Sequence, residues 1–352
     1  MINLSLKNTS ALYRSEILFQ TPYWAEVKNR LGLGTQAYDI SGTDSHGDML
    51  VIVKQVGKHK IAMVPQGPEK PPAEKQYGVF LENLSFALTE ELGPDLAFIR
   101  YDLPWESLYA DEMKEKGWTA FPEPRVREMR MNFGTECWNI RKSFEDMTVA
   151  SSLVVDIGKS EDEIFENMKP KTRYNIRLAI RKGVTIRQAT IDNLPDFHNL
   201  YHQTAQRNRF SSCDQEHFIA MFHGLAAKHN NSDLLFLLAQ HGADILAGAI
   251  IGISETAANF LYGASGNIKR NYMASSLMHW RAMQLCSQKG CTTYEMGAVP
   301  PNYNPAHPFH GLYRFKTGFG GRVVLRCGSW DFPVNQDAYR KIVNAESLYR
   351  EQ

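Results

Sequence analysis

The feature that most constrains the fold is an order of elements that occurs twice along the chain. In the first half, strands at about 48–56 and 60–65 precede a helix at Tyr77–Leu92 and a strand at 96–102. The second half follows the same order, with strands at 234–240, 244–253 and 257–264, a helix at 274–289 and a strand at 291–297. Residue identity between the halves is low, so the pattern indicates two related α/β modules and not a sequence repeat.

Further helices are predicted before and between these modules. Thr21 followed by Pro22 is typical of a helix start, and Gly32 and Gly34 of its end. Three helices are predicted at about 160–182, 192–207 and 214–229, the first opened by a capping box that begins at Ser160. We therefore expect a first domain at 1–152, completed by the C-terminal segment 328–352, and a second domain at 153–327.

Composition excludes several function classes. The chain has 352 residues and a formal net charge of +1, so we expect no DNA binding, and any contact with a polyanion must be local. Five scattered cysteines without a C-x-x-C pair are typical of free thiols in a reducing compartment. His198 and His202 lack a third ligand, so neither a metal nor a cofactor is expected. Without a signal pattern or a membrane-length apolar run, the protein is predicted to be soluble and cytoplasmic.

A basic ridge is predicted within the segment 169–182 (KPKTRYNIRLAIRK), which has six Lys or Arg residues and no acid. Arg173, Arg177 and Arg181 are spaced by four residues and so share one face of a helix. Such a face can bind phosphates, because the guanidinium group makes paired hydrogen bonds with them. A solvated helix face explains the same residues equally well.

The segment 296–321 (MGAVPPNYNPAHPFHGLYRFKTGFGG) differs from the rest of the chain. It leaves a predicted strand, crosses a proline-rich loop and places Tyr313, Phe315, Lys316 and Phe319 beside glycines. Ligands often bind in loops after the C-terminal ends of strands in α/β sheets. A lysine among aromatic rings would be poorly hydrated and could stabilise a developing negative charge. A loop that only closes the fold is an equally good interpretation.

Three other polar residues are weaker candidates. Asp102 is predicted to end the last strand of the first module, where a turn-forming role is favoured over a functional one on local grounds. His307 and His310 could act as acids or bases, although a role in a turn explains them equally well.

A missing motif limits the choice of donor. Two modules of this size and order suggest tandem domains of the acetyltransferase (GNAT) fold, that is, an α/β class with mixed sheets. Ordinary members bind the coenzyme A pyrophosphate with a glycine-rich loop at a helix start. The corresponding loop here, 268–273 (IKRNYM), has no glycine, so acyl-CoA is disfavoured as the donor.

Several motifs in the chain resemble the FemAB family, tRNA-dependent aminoacyltransferases that build peptidoglycan interpeptide bridges. The main ones are KTRYNIRLAIRKGV (171–184) and HGLYRFKTGFGG (310–321). Supporting matches are FQTPYWAEVKNRLG (19–32), VPQGP (64–68), FIRYDLPW (98–105), TAQRNRF (204–210) and FLYGAS (260–265). The resemblance extends over nearly the whole chain. It implies two GNAT-like domains, in agreement with the repeated order of elements.

The resemblance also implies roles for individual residues. Lys28 would contact the phosphates of a UDP-sugar together with Arg207, while Asp102 and Tyr262 would line the cleft for the stem peptide. Phe315 and Lys316 would lie nearest the reacting ester, with Lys316 stabilising the oxyanion. The donor would be aminoacyl-tRNA, and the acceptor a UDP-MurNAc-pentapeptide or lipid II type precursor, through the side-chain amine at position three of its stem peptide.

Two departures from the family pattern qualify this expectation. Gln66 stands where the family often has arginine, and the coiled-coil arm of the longer members is missing, so the chain resembles the short form. Two alternatives remain open. One is an N-acyltransferase of the same fold with another donor or amine, and the other is a non-catalytic module that binds tRNA or sugar nucleotides.

Overall fold

The chain folds into two compact units. The computed structural model describes residues 2–42, 45–227 and 230–350. Unit 1 contains the described residues within 1–13, 19–150 and 325–352, and unit 2 contains those within 14–18 and 151–324. Each unit has its own mixed β-sheet and its own buried apolar core.

Unit 1 is built on a sheet in which β1, β2, β3, β4 and β5 are neighbours in that order. Its elements before residue 151 are β1 (Asn3–Lys7), α1 (Pro22–Arg30), β2 (Gly34–Gly42), β3 (Ser45–Val56), β4 (His59–Val64), α2 (Tyr77–Leu92), β5 (Leu96–Glu106), α3 (Ala110–Glu115), α4 (Pro124–Met131) and β6 (Arg141–Lys142). Only the β4–β5 pair among these neighbours is parallel, and α2 is the connection between its two strands.

Unit 2 repeats this arrangement with a sheet of order β7-β12-β11-β10-β9-β8. Its elements are β7 (Ser151–Asp156), α5 (Glu161–Glu166), α6 (Pro170–Arg181), β8 (Thr185–Gln188), α7 (Leu194–Asn208), α8 (Gln215–Gly224), β9 (Ser232–His241), β10 (Asp244–Ser254), β11 (Ala257–Ser265), α9 (Ala274–Gln288), β12 (Thr293–Ala298) and α10 (His310–Lys316). The β11–β12 pair is parallel and α9 connects it, while the other neighbouring pairs are antiparallel.

The last part of the chain completes unit 1. Strand β13 (Arg322–Pro333) pairs with β5 in antiparallel orientation, and helix α11 (Gln336–Arg350) follows it. The buried ion pair between Arg100 on β5 and Asp331 on β13, at 2.7 Å, joins the two strands on one face of the sheet. Glu346 on α11 also pairs with Arg100, at 3.0 Å, and so ties the helix to that strand.

The predicted mixed α/β fold with two similar modules is confirmed. In both units an antiparallel pair leads into a strand–helix–strand connection whose strands are parallel. The predicted helix Tyr77–Leu92 has the predicted bounds. Both predicted helix starts are also confirmed, since Thr21 accepts the backbone N–H of Trp24 and Ser160 forms a full capping box with Glu163.

Three predictions about the elements were wrong or incomplete. The single helix predicted at 160–182 is two helices, α5 and α6, because Pro170 disfavours helical backbone at Lys169, which is extended. The helix predicted at 214–229 ends at Gly224, and position 229 lies outside the described residues. Several elements were not predicted, namely β1, β2, β6, β7, β8, β13, α3, α4, α10 and α11. Strands β1 and β2 lie at one end of the unit 1 sheet and lack a long apolar run.

Large buried side chains from sheet and helices fill the two cores, each contributing about 1.5–3 kcal/mol of burial free energy. In unit 1, α2 packs Leu81, Leu84 and Leu88 against the sheet. In unit 2, α9 does the same with Met278, Ala282 and Met283.

Across residues 2–42, 45–227 and 230–350, no helix combines the length and the apolar character needed to cross a membrane.

Candidate functional site

Lys316 lies at the end of a short helix in unit 2 and points into the protein. The segment 310–316 forms α10 and not the predicted loop, and a 3-10 turn (Thr317–Phe319) follows it. The Lys316 side chain is only 6% exposed, and its Nζ donates a hydrogen bond to the carbonyl oxygen of Ala298 at 2.7 Å. Ala298 is the last residue of β12, so the amine lies at the C-terminal end of a central strand.

The glycines after α10 allow this segment to approach the rest of unit 2 closely. A Cβ atom at Gly321 would lie 2.6 Å from the carbonyl oxygen of Val154 on β7. A Cβ atom at Gly320, where φ is +84°, would lie 2.6 Å from the carbonyl oxygen of Asn167. Since neither backbone oxygen can move away cheaply, both positions require glycine. The GFGG motif therefore positions Lys316 by close packing.

Burial makes Lys316 an unusually weak base for a lysine. Loss of hydration lowers the pKa of its amine to about 8, and the nearby carboxylate of Glu295 opposes this shift. A lysine with such a pKa is still mostly charged at neutral pH but releases its proton easily. The amine can therefore donate hydrogen bonds to an anion or take part in proton transfer.

Aromatic rings and a neutral histidine surround this region. The ring of His279 on α9 contacts those of Phe315 and Phe319, with centroid distances of 5.7 and 5.5 Å. Burial, together with the charge of Lys316, lowers the pKa of His279 to about 3, and its Nδ1 is 3.0 Å from the hydroxyl of Tyr294. His279 is thus uncharged at neutral pH. Sequence analysis missed it, since no motif distinguishes it from other helical residues.

His307 and His310, the two histidines predicted as acids, bases or turn residues, make local contacts. The backbone N–H of Phe309 donates to Nδ1 of His307 at 3.0 Å, which supports the predicted role in a turn. His310 begins α10, and its ring lies 5.1 Å from that of Tyr303.

Tyr262 and Arg207 lie on two elements of unit 2 that pack together, β11 and α7. The hydroxyl of Tyr262 on β11 is 2.7 Å from Nε2 of His217 on α8, a residue that sequence analysis missed. Arg207 on α7 donates to the carbonyl oxygen of Ser265 at 3.0 Å and to the side chain of Asn267 at 2.7 Å. Burial and the positive charge of the nearby Arg270 lower the pKa of Arg207. The guanidinium group is therefore held in one orientation next to a second cation, an arrangement that favours an anionic ligand.

The basic ridge of α6 is only partly available for a ligand. Nη1 of Arg173 donates to the carbonyl oxygens of Glu166 and Met168, at 2.7 and 2.8 Å, and so caps the end of α5. Arg177 and Arg181 are exposed, and their guanidinium groups lie 5.1 Å from the ring of Phe165 and 5.9 Å from that of Tyr174. The structure therefore gives Arg173 a structural role and leaves the other two arginines at the surface.

The remaining predicted site residues belong to unit 1. Nζ of Lys28 on α1 lies 4.6 Å from the ring of Trp24. The prediction that Asp102 ends its strand was wrong, because β5 continues to Glu106. Its carboxylate is 2% exposed and accepts hydrogen bonds from the hydroxyls of Thr148 and Ser329. These hydrogen bonds hold the acid in an internal polar network, and burial raises its pKa.

Gln66 belongs to the same network. Its side-chain amide donates to the hydroxyl of Thr148 at 2.9 Å, and the next backbone N–H, at Gly67, donates to the carbonyl oxygen of Asp102 at 2.9 Å. The turn that carries Gln66 is thereby attached to β5 by hydrogen bonds.

Comparison with known proteins identifies similar sequences. The sequence model of the FemAB family matches residues 10–240 and 226–346. The lipid II:glycine glycyltransferase of Staphylococcus haemolyticus is 22% identical over 252 residues, which cover 54% of this chain and 60% of that protein. The protein of the same name from Staphylococcus aureus is 22% identical over 254 residues, with the same coverage. The chain thus spans about 60% of the length of the curated relatives that it matches.

Solved structures show the same fold. FemX superposes with a TM-score of 0.72 at 16% identity, covering 95% of this chain and 96% of FemX. A tandem GNAT protein from the clavulanic acid biosynthesis pathway superposes with a TM-score of 0.51 at 10% identity, covering 95% of this chain and 99% of that protein. At these identities the likeness concerns the fold, and it confirms the tandem GNAT-like architecture.

Proposed function

The chain belongs to the FemAB family, and from this premise we propose that it is an aminoacyltransferase of peptidoglycan bridge formation. The donor is an aminoacyl-tRNA. The acceptor is the side-chain amine at position three of the stem peptide in a UDP-MurNAc-pentapeptide or lipid II type precursor. The names of the relatives, lipid II:glycine glycyltransferases, support an acceptor of this class. Because charged tRNA and such precursors meet in the cytoplasm, the proposed location is cytoplasmic.

The observation that carries the proposal is the buried amine of Lys316. An acyl transfer from an ester to an amine passes through a tetrahedral intermediate with a negatively charged oxygen. The ammonium group has three N–H donors, and the hydrogen bond to the carbonyl oxygen of Ala298 uses one of them. The remaining N–H donors can stabilise the oxyanion in a poorly hydrated environment, where such an interaction is stronger than in water.

The bond changes balance without a further reactant. The acceptor amine forms a C–N bond to the carbonyl carbon of the aminoacyl ester. The C–O bond to the terminal ribose of the tRNA breaks, and the proton lost by the amine ends on that ribose oxygen. Lys316 stabilises the intermediate, while Phe315 packs beside His279 and helps to exclude water. His279 is a poor candidate for the proton carrier, since its pKa is about 3.

The loop before α9 supports the proposed choice of donor. In this loop Lys269 and Met273 adopt positive φ angles of 47° and 57°, and a 3-10 turn (Arg270–Tyr272) lies between them. Lys269 directs its Nζ to the carboxylate of Asp244, at 2.5 Å. A loop of bulky side chains hinders the close backbone approach to a pyrophosphate that glycine permits. This supports tRNA over acyl-CoA as the donor.

The same proposal gives the other predicted residues their roles. Lys28 and Arg207 contact phosphates of the precursor, and Tyr262 contacts its peptide. Arg177 and Arg181 contribute to tRNA binding, while the internal hydrogen bonds of Arg173 argue against a direct phosphate contact there. Asp102 has internal partners for both carboxylate oxygens, so a contact with the peptide would need this network to open.

The experiment that tests the proposal supplies the protein with a mixed pool of aminoacyl-tRNAs and with each candidate precursor, and identifies the products by mass. We expect the precursor to gain the mass of an amino acid, and the product to disappear after ribonuclease treatment of the donor. Parallel reactions with acyl-CoA and no tRNA test the alternative N-acyltransferase function. Absence of transfer from every tRNA to every precursor contradicts the proposal, and tight binding of both substrates without transfer would indicate a binding module.

A matched pair of variants tests the role of Lys316. Lys316→Ala should reduce kcat by about two or more orders of magnitude, because an oxyanion donor is lost. Arg314→Ala removes an exposed cation from the same helix and should leave kcat nearly unchanged, since any contribution of Arg314 to tRNA binding affects KM for the tRNA. Near-normal turnover of Lys316→Ala, with unchanged precursor affinity, would remove the lysine from the mechanism.

A further inference from the structure

Two large aromatic side chains on the loop before α10 are exposed to solvent. Tyr303 is 55% exposed and Phe309 is 58% exposed. The neighbouring rings of Phe315 and Phe319 on the same segment pack inward against His279. The aromatic residues that the sequence places around Lys316, namely Tyr313, Phe315 and Phe319, all pack on the core of unit 2. Tyr303 and Phe309 are not among the rings of that core.

The loop that presents these rings is stiffened by prolines and by local hydrogen bonds. It contains four prolines, at positions 300, 301, 305 and 308. The backbone N–H of His307 donates to the carbonyl oxygen of Asn304 at 3.1 Å, and that of Tyr303 donates to the side chain of Asn302 at 2.8 Å. A ligand that binds to such a preformed loop loses little affinity to ordering of the protein.

The two exposed rings each contact other rings on α10 and the loop before it, in two groups. The ring of Tyr303 lies 5.1 Å from that of His310 and 6.1 Å from that of Tyr313. The ring of Phe309 lies 5.7 Å from that of His307. We call the surface made of Tyr303, His307, Phe309, His310 and Tyr313 the outer aromatic surface.

The segment that carries the outer aromatic surface contains cations and no acids. No acidic residue occurs between Glu295 and Asp331, whereas Arg314 and Arg322 are exposed within that stretch. Phe133 in unit 1 is even more exposed, at 75%, but it lies near Glu136 in the sequence. Solvent-facing rings combined with cations and no acids are the features by which proteins bind single-stranded nucleic acids, whose bases stack on the rings.

From these observations, and resting on the proposed function, we propose that the outer aromatic surface binds the unpaired 3′ end of the donor tRNA by base stacking. The separation along α10 fits this assignment. His310 and Lys316 are six residues apart on the helix, or about 9 Å at 1.5 Å per residue. Stacked nucleotides rise about 3.4 Å each, so bases two or three positions before the aminoacylated nucleotide lie beside the rings when the ester is near Lys316.

The test uses a short, fluorescently labelled single-stranded RNA that ends in CCA and measures its Kd by anisotropy. Tyr303→Ala and Phe309→Ala should each weaken binding by roughly 5- to 100-fold, the range observed when one stacking ring is removed. Tyr303→Trp and Phe309→Tyr should retain affinity because they keep a stacking ring. Phe133→Ala removes an exposed ring from unit 1 and should change nothing.

An RNA of the same length with abasic sites separates stacking from charge. Wild-type protein should bind the abasic RNA at least as weakly as either alanine variant binds the normal RNA, because stacking on both rings is lost. Both interactions should retain a dependence on salt concentration. Equal affinity of the wild type for the normal and abasic RNAs would overturn the stacking proposal, as would unchanged affinity in both alanine variants.

Failure of this proposal and failure of the proposed function give different results. If wild type transfers an amino acid from tRNA but Tyr303→Ala and Phe309→Ala keep its KM for the tRNA, the outer aromatic surface has no such role and the aminoacyltransferase function stands. If wild type shows no tRNA-dependent transfer, the proposed function itself is wrong. An increased KM for tRNA in the two variants, with KM for the precursor unchanged, supports the proposal.

Discussion

Replacement of Lys316 by methionine should make the protein more stable at neutral pH and nearly inactive. Burial lowers the pKa of the amine from 10.5 to about 8. At about 1.4 kcal/mol for each tenfold change in proton affinity, the charged form costs the folded protein about 3 kcal/mol. Methionine has similar length and no charge, but it leaves the carbonyl oxygen of Ala298 without its 2.7 Å donor, which costs about 1–3 kcal/mol. The expected net gain in unfolding free energy at pH 7 is about 0–2 kcal/mol, with a midpoint near 1 kcal/mol.

The pH dependence of this gain tests the reasoning more sharply than its size. Between pH 8 and 10.5 Lys316 is mostly neutral in the folded protein but still protonated in the unfolded chain. The free energy of unfolding of the wild type therefore rises with pH in this range. The advantage of Lys316→Met should therefore be constant below about pH 8 and should disappear or reverse by about pH 10. Urea unfolding of both proteins across this range measures the difference, in which the contributions of unchanged groups cancel.

Arg314→Met serves as the control, since Arg314 is exposed on the same helix and its replacement should give no pH-dependent difference. A Lys316→Met variant that is less stable than wild type at pH 7, by an amount that does not change up to pH 10, would refute the argument. That result would mean that the folded protein does not penalise the charged lysine.

Three further predictions concern packing and hydrogen bonds. Gly321→Ala should lower the unfolding free energy by about 1–3 kcal/mol and reduce activity, because its Cβ would lie 2.6 Å from a backbone oxygen. Thermal unfolding measures this loss, and Gly311→Ala is the control, since a Cβ atom there has no neighbour within 4 Å. Arg173→Ala should lower stability by about 1–3 kcal/mol because two carbonyl oxygens lose a charged donor, whereas Arg181→Ala should change tRNA affinity and not stability. Trp105→Phe should cost about 1 kcal/mol in urea unfolding, since its Nε1 donates to a buried carbonyl oxygen at 2.8 Å.

The sequence was sufficient to predict the repeated order of strand pair, helix and strand in the two halves, and with it the fold class of this protein. Local signals sufficed where the cause of a structure is itself local. The cap at Thr21 and the capping box at Ser160 each depend on atoms within three residues, and both form as predicted. The same locality explains one error. Pro170 was present in the sequence as a break signal, but the basic pattern that continues beyond it led to the prediction of a single helix.

Only the tertiary structure decided which of the candidate site residues are available for chemistry. Burial and hydrogen-bond partners arise from segments far apart in the chain. Lys316 and Arg314 are indistinguishable as basic residues of one short segment, yet one is buried against the end of β12 and the other is exposed. Asp102 receives its partners from residues 46 and 227 positions away. No periodicity or motif encodes such contacts, which exist only once both units have closed around their cores.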